Sequence, residues 1–389
     1  MKKSDIPTIA EKNRIVDSII GEIAENESFL LVGHKNPDED CVASLVAFAL
    51  LLSKFQKRIT ISTCGSVQDQ LQYLLHICTY NLIGLLEGCD ETPSDFSTVV
   101  ILDTPKPSMI DSNEVIDRLL ADPAVRKIEI DHHLQADALY SGDPGFRLVA
   151  NASSTCELIG FLALKIAKKR DLLDRFEITE LFSRNLALAI LTGIIGDSKM
   201  GKFLKTNRER WYYRTFSSMF EKMLYQKTLK DSANFSSMEE IFKVIQSLSA
   251  VEKECLERVM KKRQKNRSLN LIVLDAAESA ELDEKYGNDV IIAVTKAAAD
   301  KLAEDNGRLG LVVYYDGADV SNFIQFRLRR SPDFSVLDLR TILDRFKIAN
   351  GGGHPGAIGF RFEKGSVEDL DSYVDKLAAG IEGMIEGLA

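Results

Sequence analysis

Phe29-Leu30-Leu31-Val32 runs into Gly33-His34-Lys35-Asn36-Pro37-Asp38-Glu39-Asp40 and then into Cys41 through Phe55. The four opening residues form an unbroken apolar run, the pattern of a short buried strand. The closing segment is apolar on most sides, as a buried helix is. Strand, polar turn and buried helix make one unit of a doubly wound α/β sheet. Asp38 and Asp40 fall in the turn ahead of the helix, where its positive end favours anions and acidic caps.

The unit repeats along the first half of the chain. Arg58–Thr63 reads as a second strand, with a helix over Val67–Cys78. Ser97–Leu102 reads as a third, ending in Asp103-Thr104-Pro105. Val125–Ile130 alternates apolar and charged residues, and its last four residues form a fourth strand that ends in Asp131-His132-His133. Right-handed crossovers would bring these strand ends to one edge of a parallel sheet, where open α/β sheets place their ligands. Ile15–Ile23 has helical spacing. Asn151–Glu157 reads as a Ser/Thr cap with an acidic first turn, ahead of a helix over Leu158–Ile166. Leu181–Ile195 is another strongly apolar helix, and Gly196-Asp197-Ser198 at its end adds a further carboxylate.

Past Lys199 the pattern changes. Charge rises, helical spacing persists, and the basic cluster Lys261–Arg267 reads as solvated linker surface. Strand signals resume at Leu269–Leu274, Val290–Val294, Gly310–Tyr315 and Phe323–Leu328. A helix follows over Val336–Phe346, then Asn350-Gly351-Gly352-Gly353-His354-Pro355-Gly356-Ala357, then a final helix over Val367–Leu388. The expected architecture is α/β: a doubly wound, mainly parallel sheet with helices on both faces over 1–205, a helical linker over 206–267 and a smaller mixed α/β domain over 268–389. A length of 389 residues suits such a division, because single cores stop growing near ~250–300 residues.

Composition narrows the function. A net charge of -9 opposes broad binding to long duplex nucleic acid, which requires a basic footprint. The six cysteines are scattered without a Cys-x-x-Cys pair, the usage of reduced thiols. The opening residues lack the apolar core of a signal peptide. The longest apolar runs, Val42–Leu52 and Leu186–Ile195, fall short of the ~20 residues that cross a bilayer. The expected location is the cytoplasm, with no membrane partner.

His34, Asp38, Asp40, Asp103, Asp131, His132 and Asp197 all sit at ends of buried elements. Carboxylates crowded together repel one another unless cations compensate them. Carboxylate and imidazole without thiolate suit Mn²⁺, or Mg²⁺, better than a structural zinc. The set is large enough for two ions, the usual clamp for phosphoester hydrolysis.

Gly33-His34 with Asn36-Pro37-Asp38 and Asp40, Leu102-Asp103-Thr104, Asp131-His132-His133 and Gly193 with Asp197 resemble the four motifs of the DHH phosphoesterase family. Gly351-Gly352-Gly353-His354 resembles the signature of the DHHA1 domain that follows it. Together the motifs use four of the five histidines; the fifth, His76, reads as structural. The resemblance implies that His34 and Asp38 hold one metal, that Asp40, His132 and Asp197 hold the other, and that Asp103 bridges. It implies support from Asp131 and contact between His133 and the substrate phosphate or leaving group. In the second domain it implies phosphate contacts from Gly352, Gly353, His354 and an arginine, with Arg329 favoured over Arg327, its neighbour on one strand face. Glu39 and Cys41 depart from the family pattern.

The resemblance is nearest in layout to short two-domain members that degrade very short oligoribonucleotides and dephosphorylate adenosine 3′,5′-bisphosphate at a cleft between domains. The partner would be a small phosphorylated nucleotide or short oligonucleotide, with a homodimer as candidate assembly. Cyclic or linear dinucleotide hydrolysis and pyrophosphate or polyphosphate hydrolysis stand as alternatives. A catalytically inactive nucleotide-binding module is a further alternative, and it would be marked by eroded ligand positions.

Overall fold

Parallel strands buried on both faces require helices on both faces of their sheet, and the computed structural model has that arrangement. It describes all residues except 66, 89–92, 135–136, 227–236, 318–319, 368 and 388–389. Cys89, part of the expected linker and Leu388 of the expected final helix therefore lie outside the described residues. The chain divides into one unit of Met1–Leu134 with Ala138–Ser247 and another built from Leu248–Ala389.

The strands of the first unit are β1 (Ser28–Val32), β2 (Arg58–Thr63), β3 (Gly84–Glu87), β4 (Thr98–Leu102), β5 (Arg126–Asp131) and β6 (Arg147–Val149). They form one six-stranded sheet in the order β3-β2-β1-β4-β5-β6, and every pairing is parallel. The helices are α1 (Ile9–Glu25), α2 (Glu39–Ser53), α3 (Gln72–Tyr80), α4 (Glu114–Ala121), α5 (Thr155–Ile166), α6 (Arg170–Arg175), α7 (Arg184–Ser198), α8 (Asn207–Gln226) and α9 (Met238–Ile245). The twofold period of β1 sends Phe29 and Leu31 into the large core with α2, α5 and α7. Leu30 and Val32 face the opposite way, against Ile116 and Leu119 of α4. The strand order reverses between β1 and β4, so the crevice at their carboxyl ends is the natural ligand site.

Several local readings change. Residues 127–131 of β5 are all buried, as helices on both faces of the sheet require. The cause is position: β5 lies between β4 and β6, so its charged side chains must find partners inside. β3 and β6 are too short to show a period. The segment 206–267 is shared out: Phe216, Phe220, Ile241 and Ile245 of α8 and α9 join the first core. Cys255 and Val259 of α10 (Ala250–Met260) join a core of the second unit.

The second unit has a five-stranded sheet. Its strands are β7 (Leu269–Val273), β8 (Leu309–Tyr315), β9 (Phe323–Arg330), β10 (Gly351–His354) and β11 (Ala357–Glu363), in the order β10-β11-β9-β8-β7. β7 and β8 are parallel and the other pairings antiparallel. Beside α10 it carries α11 (Ala276–Tyr286), α12 (Asn288–Asn306), α13 (Arg340–Arg345) and α14 (Leu370–Glu386). Val290–Val294, expected as a strand, is part of α12. A short β-branched run cannot be told from a buried helix by period alone. The buried positions Ile291, Val294, Thr295, Ala298, Ala299 and Leu302 recur at helical spacing. The helix expected from Val336 forms only from Arg340. Arg330 Nη1 donates to the carbonyls of Ser335 and Leu337, which holds that backbone in a turn. Among the described residues, no helix is long and apolar enough to cross a membrane.

Phe216 packs beside Gly160 of α5, where an added Cβ would lie 2.5 Å from its ring. Phe216→Ala should destabilise the first unit by about 3–5 kcal/mol. Denaturant unfolding measures this, and an unchanged midpoint would remove α8 from that core.

Candidate metal centre

Three loops at the carboxyl end of the sheet and two helices supply the site. The loop after β1 places His34, which forms a bridge with Ile110. Asp38 caps α2 by accepting the Cys41 N–H, and Asp40 lies in the first turn of that helix. Asp103 follows β4 with φ at 50°, a left-handed conformation that strains a non-glycine residue and is found at functional sites. Asp131 closes β5, and His132 and His133 follow it. Asp197 comes from the last turn of α7.

Each imidazole on the ligand side is aimed by its other nitrogen. His34 Nδ1 lies 2.8 Å from the Lys35 carbonyl, and His132 Nδ1 lies 3.3 Å from the Ala152 carbonyl. A carbonyl only accepts, so both Nδ1 atoms carry the proton and Nε2 presents its lone pair. His132 Nε2 faces Asp103 Oδ1 at 3.4 Å, Asp197 Oδ2 at 3.5 Å and Asp40 Oδ2 at 3.8 Å. His34 Nε2 faces Asp38 at 3.6 Å and Asp103 Oδ2 at 3.7 Å. These separations exceed a normal hydrogen bond and suit atoms that share an ion. Asp103 turns one oxygen toward each histidine. Ligand atoms of Asp40, His132 and Asp197 lie within 4.8 Å of one another, as do those of His34, Cys41 and Asp103. The residues present therefore fit divalent metal, and Asp103 faces both histidines.

The supporting contacts are as specific. The Thr155 and Cys156 N–H groups donate to Asp40 at 2.6 and 3.1 Å, and the Thr155 hydroxyl donates to Asp103 at 2.8 Å. Ser154 caps α5 as its sequence suggested, but the same helix start also holds the carboxylates of Asp40 and Asp103. A Cβ on Gly193 of α7 would sit 2.3 Å from Asp40 Oδ1, so only glycine lets that helix pass. Glu39 turns aside and accepts from Gln246 Nε2. His76 lies on the exposed face of α3.

Sequence reasoning missed Lys3, one of two adjacent lysines ahead of α1 that carry no motif. Its side chain is fully buried. Its Nζ lies 2.5 Å from Asp131 Oδ2, 2.8 Å from Glu129 Oε1 and 2.6 Å from the Thr104 carbonyl. The other oxygen of Asp131 accepts from His133 Nδ1 at 2.7 Å. Burial alone would lower the Lys3 pKa, but Asp131 and Glu129 outweigh it and raise it. Burial alone would raise the Asp131 carboxyl, but His133 and Lys3 hold it well below the usual range.

The ligand cluster shows the opposite strain. Burial and then Asp103 push Asp40 up to about 8. Burial and the charge of Asp40 raise Asp197 well above a normal carboxylate. Burial opposes charge on His132, yet Asp103, Asp197 and Asp40 raise it well above an ordinary histidine. The buried Cys41 thiol is pushed up to about 11. The acidic cluster draws in protons where a cation would otherwise sit.

In the second unit, Arg327 and Arg329 share a face of β9 and pair with Gly359 and Ala357 of β11. Arg327 Nη2 donates to Tyr314, while Arg329 Nη1 donates to the Leu328 and Ile358 carbonyls. Gly351–His354 is the edge strand β10 of a hairpin. Gly353 has φ at 138°, and a Cβ there would lie 2.2 Å from the Ala357 carbonyl. His354 ends the strand, half-buried.

Residues 28–194 match the model of the DHH family, N-terminal domain. A cyclic-di-AMP phosphodiesterase of Listeria monocytogenes is 25% identical over 223 residues, which is 56% of this chain and 30% of that protein. The chain thus spans under a third of that relative's length. The crystal structure of an exopolyphosphatase-related protein from Bacteroides fragilis matches with a TM-score of 0.61 at 18% identity, covering 96% of this chain and 98% of that one. It shows the fold.

Asp40, Asp197, His34 and His132 all have raised pKa values in the metal-free fold. Unfolded, the carboxylates titrate near ~4 and the imidazoles near ~6.5. From about pH 6.5 to 8 the folded state therefore holds more protons, and stability must fall as pH rises. Chelator-treated protein should melt at a lower temperature at pH 8 than at pH 6.5. Saturating Mn²⁺ should remove the trend by replacing the protons. A metal-free midpoint that climbs with pH would contradict this electrostatic picture.

Proposed function

With residues 28–194 belonging to the DHH family as premise, we propose that the protein is a two-metal-dependent phosphoesterase. Its substrates are short oligonucleotides or adenosine 3′,5′-bisphosphate. The observation that carries this reading is His132 Nε2 set among Asp40, Asp103 and Asp197 at 3.4–3.8 Å, with Nδ1 on a backbone carbonyl.

In this reading His34 and Asp38 would hold one ion, Asp40, His132 and Asp197 would hold the other, and Asp103 would contribute to each. Manganese is preferred over magnesium because imidazole joins the carboxylates. Such ions, when bound, neutralise the phosphoryl oxygens and acidify a water for attack on phosphorus. The chain's own groups do the rest. Asp131, held ionised, accepts a hydrogen bond from the Nδ1–H of His133 and so fixes its ring with Nε2 toward the reacting group. His133 donates a proton to the leaving oxygen or a hydrogen bond to the phosphate. We assign phosphate binding to His354 and Arg329, with Arg327 and the backbone of Gly352 and Gly353 in support. Every position in the proposed ligand set keeps a ligating side chain, which supports an active enzyme over an inactive binding module.

A second reading, hydrolysis of cyclic dinucleotides, is favoured by the Listeria relative. A panel of pApA, adenosine 3′,5′-bisphosphate, cyclic di-AMP and pyrophosphate with Mn²⁺ separates the two. We expect AMP from pApA and phosphate from the bisphosphate. Turnover of cyclic di-AMP alone would select the second reading, and turnover of none would overturn the enzyme assignment. Asp103→Ala should lower kcat/KM on the order of 10³-fold, the several kcal/mol that metal stabilisation supplies; near-normal activity would refute its bridging role. His354→Ala should raise KM about tenfold with kcat largely kept, a loss of about 1.4 kcal/mol of binding. An unchanged KM would remove His354 from the substrate.

A further inference from the structure

We propose that Lys3 is a positioning residue of the catalytic site: it fixes Asp131, and through Asp131 the ring of His133. The proposal rests on the role given above to His133.

The Lys3 ammonium donates to the Thr104 carbonyl and to Asp131 Oδ2, and it forms an ion pair with Glu129 Oε1 at 2.8 Å. Thr104 directly follows Asp103, so one cation ties the loop after β4 to the end of β5. Asp131 is thereby held at one oxygen by Lys3 and at the other by His133 Nδ1. A carboxylate fixed at both oxygens cannot rotate, so the imidazole it holds cannot either.

The segment that delivers Lys3 is built in. Lys3 N donates to the Ala138 carbonyl, Tyr140 N to the Met1 carbonyl and Asn151 N to Asp5 Oδ1. Lys2 forms an antiparallel bridge with Leu139. Glu129 is itself fixed, because its second oxygen accepts from the N–H groups of Ser141 and Gly142. A merely structural account is that Lys3 neutralises two buried carboxylates. It predicts that removing one carboxylate together with the lysine restores everything. The positioning account predicts that only stability returns.

Lys3→Met alone leaves uncompensated buried charge and can fail to fold. The test is therefore Lys3→Met with Glu129→Gln, which removes one positive and one negative charge and keeps the size of the acidic side chain. Hydrolysis of pApA with Mn²⁺ and the melting temperature are measured on this protein. In parallel, ¹⁵N-histidine-labelled protein with Mg²⁺ reports the Nδ1 proton of His133, assigned by its loss in His133→Gln. We expect a melting temperature near that of the parent. We expect kcat to fall by about 10–100-fold with KM nearly unchanged, and the slowly exchanging Nδ1 proton to be lost. Parental kcat together with a retained Nδ1 signal would overturn the proposal. If the parent does not hydrolyse pApA, the substrate reading fails while the His133 signal still decides the role of Lys3.

Discussion

Asp38, Asp40, Asp103 and Asp197 converge with His34 and His132 where the strand order of the first sheet reverses. Like charges in a buried crevice repel, and the pKa pattern shows the result: protons are drawn onto Asp40, Asp197 and both histidines. Such a cluster is stable in ionised form only around cations. Much of the first unit serves to hold these groups in place against that repulsion.

The restraint comes from two directions. The first turn of α5 meets Asp40 with two N–H groups and Asp103 with a hydroxyl. There the exposed donors and positive end of a helix do part of a cation's work. From the other side, Lys3 meets Asp131 with a full charge. These two arrangements make Asp131 unlike Asp40 and Asp197. Against the effect of burial, His133 and Lys3 lower its pKa, as His132 and His133 lower that of Asp103, whereas burial raises those of Asp40 and Asp197. A single strand end therefore carries two chemistries: His132 is turned to the acidic cluster, and His133 is hydrogen-bonded to a carboxylate whose pKa is lowered.

The second unit is organised by close backbone approach instead of charge. Its glycine run is a strand whose side-chain space is filled by β11, as the 2.2 Å clearance at Gly353 shows. The arginines of β9 lie against that hairpin in register with Gly359 and Ala357. Basic groups and a histidine are thereby gathered on one small antiparallel corner.

The repeating strand–turn–helix unit, the parallel sheet and the acidic and histidine residues at the strand ends are legible in the amino-acid sequence. Those features are local: an apolar run, a polar turn and a buried helix are encoded by neighbours along the chain. The sequence did not reveal that Val290–Val294 is helical, because five β-branched and apolar residues satisfy either period until their packing partners are known. It did not reveal β6, a strand of three residues that is too short to show a period. Lys3 and the start of α5 were equally hidden as site elements. Each meets its acidic partner across more than a hundred residues of chain, and no spacing rule reaches that far. The packing of elements distant in sequence sets which carboxylates crowd together and which one is paired with a lysine.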